Sequence, residues 1–239
     1  MGTLDAENRT SDPARERVSL GDEARGAIAA FAAKIGNELN NPIAAIQAAH
    51  EYIKRQSGRD AKMEAMFGVI DGELANARRL VADLVDLSAA RPLVRTSFSL
   101  GDLVEGVARE LKRPANVAFE NAIPDDLGTI SADRERLARA LRRLAQNAVD
   151  AVPGGRSGKV RVAAEREGEH LVISVIDDGE GIAPSISERI DEPLFSTKVK
   201  GTGLGLTIAR ALIDEQGGRL SWVSSVGAGS TFKVFLPHA

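Results

Sequence analysis

Between Asp22 and Ala90 the chain carries two single apolar stripes at helical spacing, and they restrict the fold more than any other feature. In the first, Ile28, Phe31, Ile35, Leu39, Ile43, Ile46 and Ile53 recur at steps of three, four or their sum, which marks one apolar side of one long helix. The second runs through Phe67, Ile70, Leu74, Ala77, Val81, Leu84 and Leu87 with the alternating three and four of a coiled-coil seam. Gln56, Ser57 and Gly58 separate the two, and Pro92 stops the second, since proline has no amide hydrogen to donate and its ring clashes with the preceding turn. Residues 22–91 therefore read as an antiparallel helical hairpin. Two helices with one stripe each cannot enclose a core, so the hairpin is expected to pair with a second copy in a four-helix bundle, making the protein a homodimer.

The flanks differ in character. Residues 1–21 are polar and aperiodic and read as a flexible leader. After Pro92 the pattern becomes mixed. It predicts a strand at Ser97–Leu100, a helix over Asp102–Lys112, a strand near Val117–Glu120 and a helix over Asp133–Val152. Strands at Lys159–Ala164 and Leu171–Ile176 follow, then a helix over Leu206–Glu215 and strands at Arg219–Val223 and Thr231–Leu236. Residues 92–239 thus form a second, α/β domain. The stretch from Gly179 to Gly205 is dense in Gly, Pro, Ser and Lys, and a long loop inside a compact domain is usually a functional lid.

Composition excludes more than it assigns. With 31 basic and 34 acidic residues and no long run of one sign, the chain has neither a nucleic-acid footprint nor a polybasic membrane patch. It contains no cysteine, so disulfides and thiolate metal sites are excluded, and its three histidines are scattered. The apolar stretch Ala27–Ile35 is cut by Lys34 and too short to span a bilayer; no membrane segment is expected, and a cytoplasmic location is.

Chemistry-bearing residues concentrate in the second domain. Gly201-Thr202-Gly203-Leu204-Gly205-Leu206 sets three glycines at alternate positions straight into a helix, where close backbone approach and free N–H groups suit a polyphosphate. Asp177-Asp178-Gly179-Glu180-Gly181 closes an apolar strand. Asp177 there is suited to accept a hydrogen bond from an adenine amino group, with Gly179 and Gly181 leaving room for the ring. Asn147 interrupts an apolar helix face, where its amide oxygen suits Mg²⁺ shared with phosphates. Taken singly, each of these also fits an ordinary turn or helix-surface residue.

Their order is what carries weight: Asn147, then Asp177 with its glycines, Phe195, Gly201–Leu206, and Gly227-Ala228-Gly229-Ser230-Thr231-Phe232. This succession resembles the N, G1, F, G2 and G3 boxes of the GHKL (Bergerat) ATPases: histidine kinases, ninety-kilodalton heat-shock chaperones, type II topoisomerases and mismatch-repair ATPases. The resemblance implies an α/β sandwich with ATP between helices and a mobile lid. It places Asp177 on adenine, Asn147 on Mg²⁺ and Gly201, Gly203 and Gly205 at the phosphates, with Gly179, Gly181, Thr202, Leu204 and Thr231 as further nucleotide-binding residues; Lys198 and Lys200 in the lid are candidate phosphate contacts.

Within that family the hairpin selects a branch. Asn37-Glu38-Leu39-Asn40-Asn41-Pro42 resembles the histidine-kinase H-box, His-Glu-x-x-Asn-Pro, with Asn37 at the phospho-acceptor position. The resemblance thus covers nearly the whole chain and implies a two-component histidine kinase core that engages a response-regulator receiver domain. At roughly 100° per residue Asn37 points about 160° from Ile35 and Leu39, hence outward, with Asn41 within about 40° of it. The amide nitrogen of Asn has its lone pair delocalised and cannot replace imidazole as nucleophile, so autophosphorylation at this position is expected to be absent. By the same resemblance Glu38 stands where the base toward the histidine would be, and Asn41 where a side chain orients water for attack on a receiver's phospho-aspartate. Hydrolysing relatives place a glutamate four residues before the metal-binding Asn, whereas here that residue is Arg143, no base near neutral pH. His50 lies thirteen residues beyond Asn37 and reads as a hairpin surface or interface residue. Tyr52, Trp222, Met63 and Met66 read as packing residues. Two other functions stay open: a non-enzymatic ATP-binding scaffold, and an ATP-driven clamp, against which stand the H-box and Arg143.

Overall fold

A computed structural model of the protein describes residues 39–55, 61–88, 92–193, 195–198 and 203–238. The leader, the start of the first stripe (Ile28, Phe31 and Ile35), Asn37, Glu38, the separator at Gln56–Gly58, and Lys200, Gly201 and Thr202 lie outside the described residues.

Residues 39–55 are helical (α1), and Ala61–Ser88 form α2. They meet around His50, which is 5% exposed, sets its ring edge-on to Phe67 at 5.1 Å between centres, and holds Nδ1 3.2 Å from Asp71 Oδ1. Lys54 Nζ donates to Asp71 Oδ2 at 2.9 Å. His50 is therefore buried between the helices rather than on the hairpin surface. The spacing explains it: seven residues is nearly two turns, so His50 points within about 20° of Ile43, the buried centre of the α1 face. Ile46 and Ile53 lie together to one side of that centre and remain 55% and 52% exposed. Tyr52 and Met66, expected to pack, are exposed as well.

From Thr96 onward the elements are β1 (Thr96–Ser99), α3 (Leu100–Glu110), β2 (Val117–Ala122), β3 (Thr129–Ala132), α4 (Arg134–Asp150), β4 (Gly158–Glu167) and β5 (His170–Asp177). They continue with α5 (Pro184–Ser187), α6 (Gly205–Asp214), β6 (Arg219–Ser225) and β7 (Gly229–Pro237). β1 and β3 form a small antiparallel pair. The main sheet has the order β2-β4-β5-β7-β6, with β2 parallel to β4 and the other pairs antiparallel. The fold is α+β, with a mixed sheet covered by helices.

Alternation decides which sheet face is covered. Val160 and Val162 of β4 and Ile173 and Val175 of β5 enter one core with Leu137, Leu141 and Leu144 of α4 and Ile208 and Ile213 of α6. Lys159 and Arg161, on the alternate positions of β4, stay exposed. Helix starts are fixed by side-chain caps: Ser99 accepts from Asp102 N at the head of α3, and the buried Asp133 accepts from Arg136 N at the head of α4. The Ser99 cap starts α3 at Leu100, two residues before its predicted start. β3 and α5, four residues each, are too short to show a period, and neither is predicted from the sequence.

Candidate nucleotide site

The C-terminal end of β5 delivers Asp177, which is 4% exposed. The β5–β7 register sets it opposite Ser230. Its Oδ1 accepts from Gly179 N at 2.9 Å and from Ser230 N at 3.2 Å. Burial pushes the carboxyl above its ordinary 3.8; the two backbone donors, and the Lys198 ammonium, pull the other way. Both bonds fall on Oδ1, which leaves Oδ2 as the oxygen for a further donor.

Thr231 faces Ile176, and neighbours along a strand point to opposite faces, so the residue beside Asp177 is Ser230. Ser230 is buried, and its hydroxyl lies 3.0 Å from that of Ser224. The sequence signal was available in the β5 and β7 alternation, but the register that selects Ser230 over its neighbour was not.

Gly179 and Gly181 have a different physical reason from the one the sequence suggests. A Cβ on Gly179 would sit 2.5 Å from Ala151 O, and one on Gly181, at φ 70°, would sit 2.0 Å from Ser225 O. Protein backbone thus lies against the Cβ side of both glycines. The loop is threaded between the end of α4 and the β6–β7 turn, with Glu180 N donating to Ala151 O and Gly227 N donating to Glu180 O at 2.9 and 2.7 Å. The absence of a side chain at these two glycines lets the loop pack closely and helps to place Asp177.

Asn147 is carried by α4 at the edge of its buried face, next to Leu144 and Ala148. It meets the start of α6, where a Cβ on Gly205 would lie 3.7 Å from Asn147 Nδ2. Gly203, at φ 68°, makes the turn into α6, and no side chain caps that helix, so its first N–H groups face the Asn147 side with the positive end of the dipole. Leu204 is buried in the core, so only its backbone can serve a ligand. On the other side Lys198 Nζ donates to Asn147 Oδ1 at 3.4 Å and to Asp150 Oδ2 at 3.2 Å. Asp150 was not among the expected site residues, although its position three after Asn147 puts it on the same helix side. Two oxygens already directed at one cation are a donor set suited to Mg²⁺.

The loop before Lys198 is tied down at its base. The buried Asp191 pairs with Arg210 of α6 at 2.5 Å, and Arg189 lays its guanidinium 4.4 Å over the ring of Phe195. In the hairpin, Asn41 is exposed on α1.

Residues 132–239 match the family model of histidine kinase-, DNA gyrase B- and HSP90-like ATPases. The chain is 30% identical over 231 residues to the sensor histidine kinase ZraS of Escherichia coli K12, covering 93% of this chain and 49% of that protein. It thus spans about half the length of that relative. Among solved structures, the catalytic domain of histidine kinase ThkA is 31% identical, covers 61% of this chain and 96% of its own, and superposes with a TM-score of 0.52. ThkA in complex with its response regulator TrrA matches at 26% identity and a TM-score of 0.64, over 91% of this chain and 64% of that one. Full-length ShkA in complex with AMPPNP shares the fold at a TM-score of 0.71 and 24% identity, over 87% of this chain and 46% of that one.

Proposed function

We propose, from the premise that this chain belongs to the sensor histidine kinase family and carries its ATPase domain, that it is a two-component kinase core that binds Mg-ATP but is silent in autophosphorylation. The observation that carries the reading is the grouping of Asn147 with the α6 N-terminus on one side and Lys198 on the other, while the loop after Asp177 packs on the end of the same helix α4. In this reading Asp177 Oδ2 accepts the adenine amino group. The first turn of α6 and Lys198 receive the phosphates. Asn147 holds Mg²⁺, which would neutralise charge on the transferred phosphoryl group.

In the family reaction an imidazole nitrogen attacks the γ-phosphorus, the bond to the β–γ bridging oxygen breaks, and ADP leaves. Asn37 offers no such lone pair. Incubation with γ-labelled ATP is expected to leave the chain unlabelled and to label Asn37→His with an acid-labile phosphate. Label on the unaltered chain would show a different acceptor. His50 is a poor candidate for that role, being buried against Phe67.

The hairpin is proposed to dimerise and to dock a receiver domain. There Asn41, exposed on α1, orients a water for hydrolysis of the receiver's phospho-aspartate, a reaction that needs positioning more than a strong base. A phosphorylated cognate receiver is expected to decay more slowly with Asn41→Ala than with the unaltered chain, and equal rates would assign Asn41 a purely structural role. Because Asn37 is not a nucleophile, a second reading stands beside this one: an ATP-loaded docking scaffold without chemistry, which absence of both labelling of Asn37→His and receiver turnover would favour.

A further inference from the structure

The pairing of Lys198 with the α4 face has a consequence for how the site handles charge, and it rests on the nucleotide reading above. Asn147 and Asp150 lie three residues apart on α4 and share one ammonium, Lys198 Nζ, at 3.4 and 3.2 Å. Asp150 is held in that orientation from behind: Gln146 Nε2 donates to its other oxygen at 2.9 Å, while Gln146 is itself fixed by Lys112, accepting from its N–H and donating to its carbonyl at 3.0 and 3.1 Å. A carboxylate is thus fixed beside Asn147 and the α6 N-terminus, where the polyphosphate would arrive.

A fixed negative charge next to a triphosphate is repulsive unless a cation stands between them. We infer that Asn147 and Asp150 form a cation cradle that is filled in turn by two occupants. In the empty site the Lys198 ammonium fills it and ties the lid to α4. With Mg-ATP bound, Asn147 and Asp150 would hold the divalent ion in the ammonium's place, and Lys198 would be left to the phosphates. Asp150 is accordingly the residue that makes nucleotide binding demand a divalent cation, and Lys198 the residue that moderates the demand.

The two side chains therefore have opposite effects on one ratio, the affinity for a fluorescent ATP analogue in Mg²⁺ divided by that in excess EDTA. Asp150→Asn removes the repulsion and keeps the shape; metal-free affinity should rise about three- to tenfold, the size of one unit charge near a partly exposed site, and the ratio should fall. Lys198→Ala removes the internal cation and weakens binding in both conditions, but only Mg²⁺ can stand in for it beside Asp150, so metal-free affinity should drop further than affinity in Mg²⁺ and the ratio should rise. Both side chains are about two-fifths exposed, so neither change threatens the fold. A ratio that is unchanged in Asp150→Asn, or that moves the same way in both variants, overturns the cradle while leaving the nucleotide site standing. Absence of analogue binding by the unaltered chain overturns both.

Discussion

The hairpin and the sandwich bury their apolar residues in different ways. In the sandwich the faces of α4, α6, β4, β5 and β7 close on one another, and Leu137, Leu144, Val160, Ile173, Ile213 and Val234 have no exposure at all. In the hairpin Ile43, Phe67 and Val81 are buried, while Leu39, Ile46, Ile53, Val69 and Ile70 are left in solvent by a single chain. An apolar strip of that extent on a pair of helices is what a surface awaiting a partner looks like. A single chain thus closes the core of the mixed sheet, whereas it leaves a row of apolar side chains on α1 and α2 exposed, the surface on which the proposed dimer would form.

The largest expected effect comes from charging that strip. Ile46→Asp with Ile53→Asp costs nothing inside the single chain, because both side chains are more than half exposed, yet it would bury charges in a dimer seam at several kcal/mol each. Light scattering should show the unaltered chain as a dimer and the double variant as a monomer, with the sandwich's thermal unfolding unmoved. A monomeric unaltered chain would break the comparison. A smaller and opposite pattern is expected in the sandwich: Leu141→Ala, at a site 1% exposed, should cost about 2–5 kcal/mol of stability without changing the oligomeric state. If that substitution also dissociated the dimer, the two regions would not be independent.

Periodicity made much of this legible. The strand and helix assignments after Pro92 agree with the structure to within a few residues, because each long element has one covered face and hence a clean period. Ser99 and Asp133 caps could have placed the helix starts more closely. What the sequence did not disclose depends on register and long-range packing. Ser230 rather than Thr231 stands beside Asp177 because of how β7 pairs with β5. Gly179 and Gly181 are required by the approach of Ala151 and Ser225, residues far away along the chain. The helical step from Asn147 puts Asp150 on the same side of α4, but its contact with Lys198 of the lid is long-range and no local pattern encodes it. For His50 the sequence leaves surface and interface open, and its packing between α1 and α2 follows from its lying nearly two turns after Ile43.

The central claim is that Asp177 reads adenine in an ATP site, and Asp177→Asn tests it most directly when affinity and stability are measured on the same sample. Burial holds the Asp177 carboxyl above 3.8 in the folded chain, so its contribution to stability is full below that value and is lost as pH rises through the raised one. At pH 7 the buried charge is a cost, and an Asn oxygen still accepts from Gly179 and Ser230. The melting temperature should therefore hold or rise. Calorimetric titration with Mg-ATP should show affinity falling about 10- to 100-fold, the loss of one charge-assisted hydrogen bond worth roughly 1.5–3 kcal/mol. Equal ATP affinity in the two proteins, with both folded, would contradict the account.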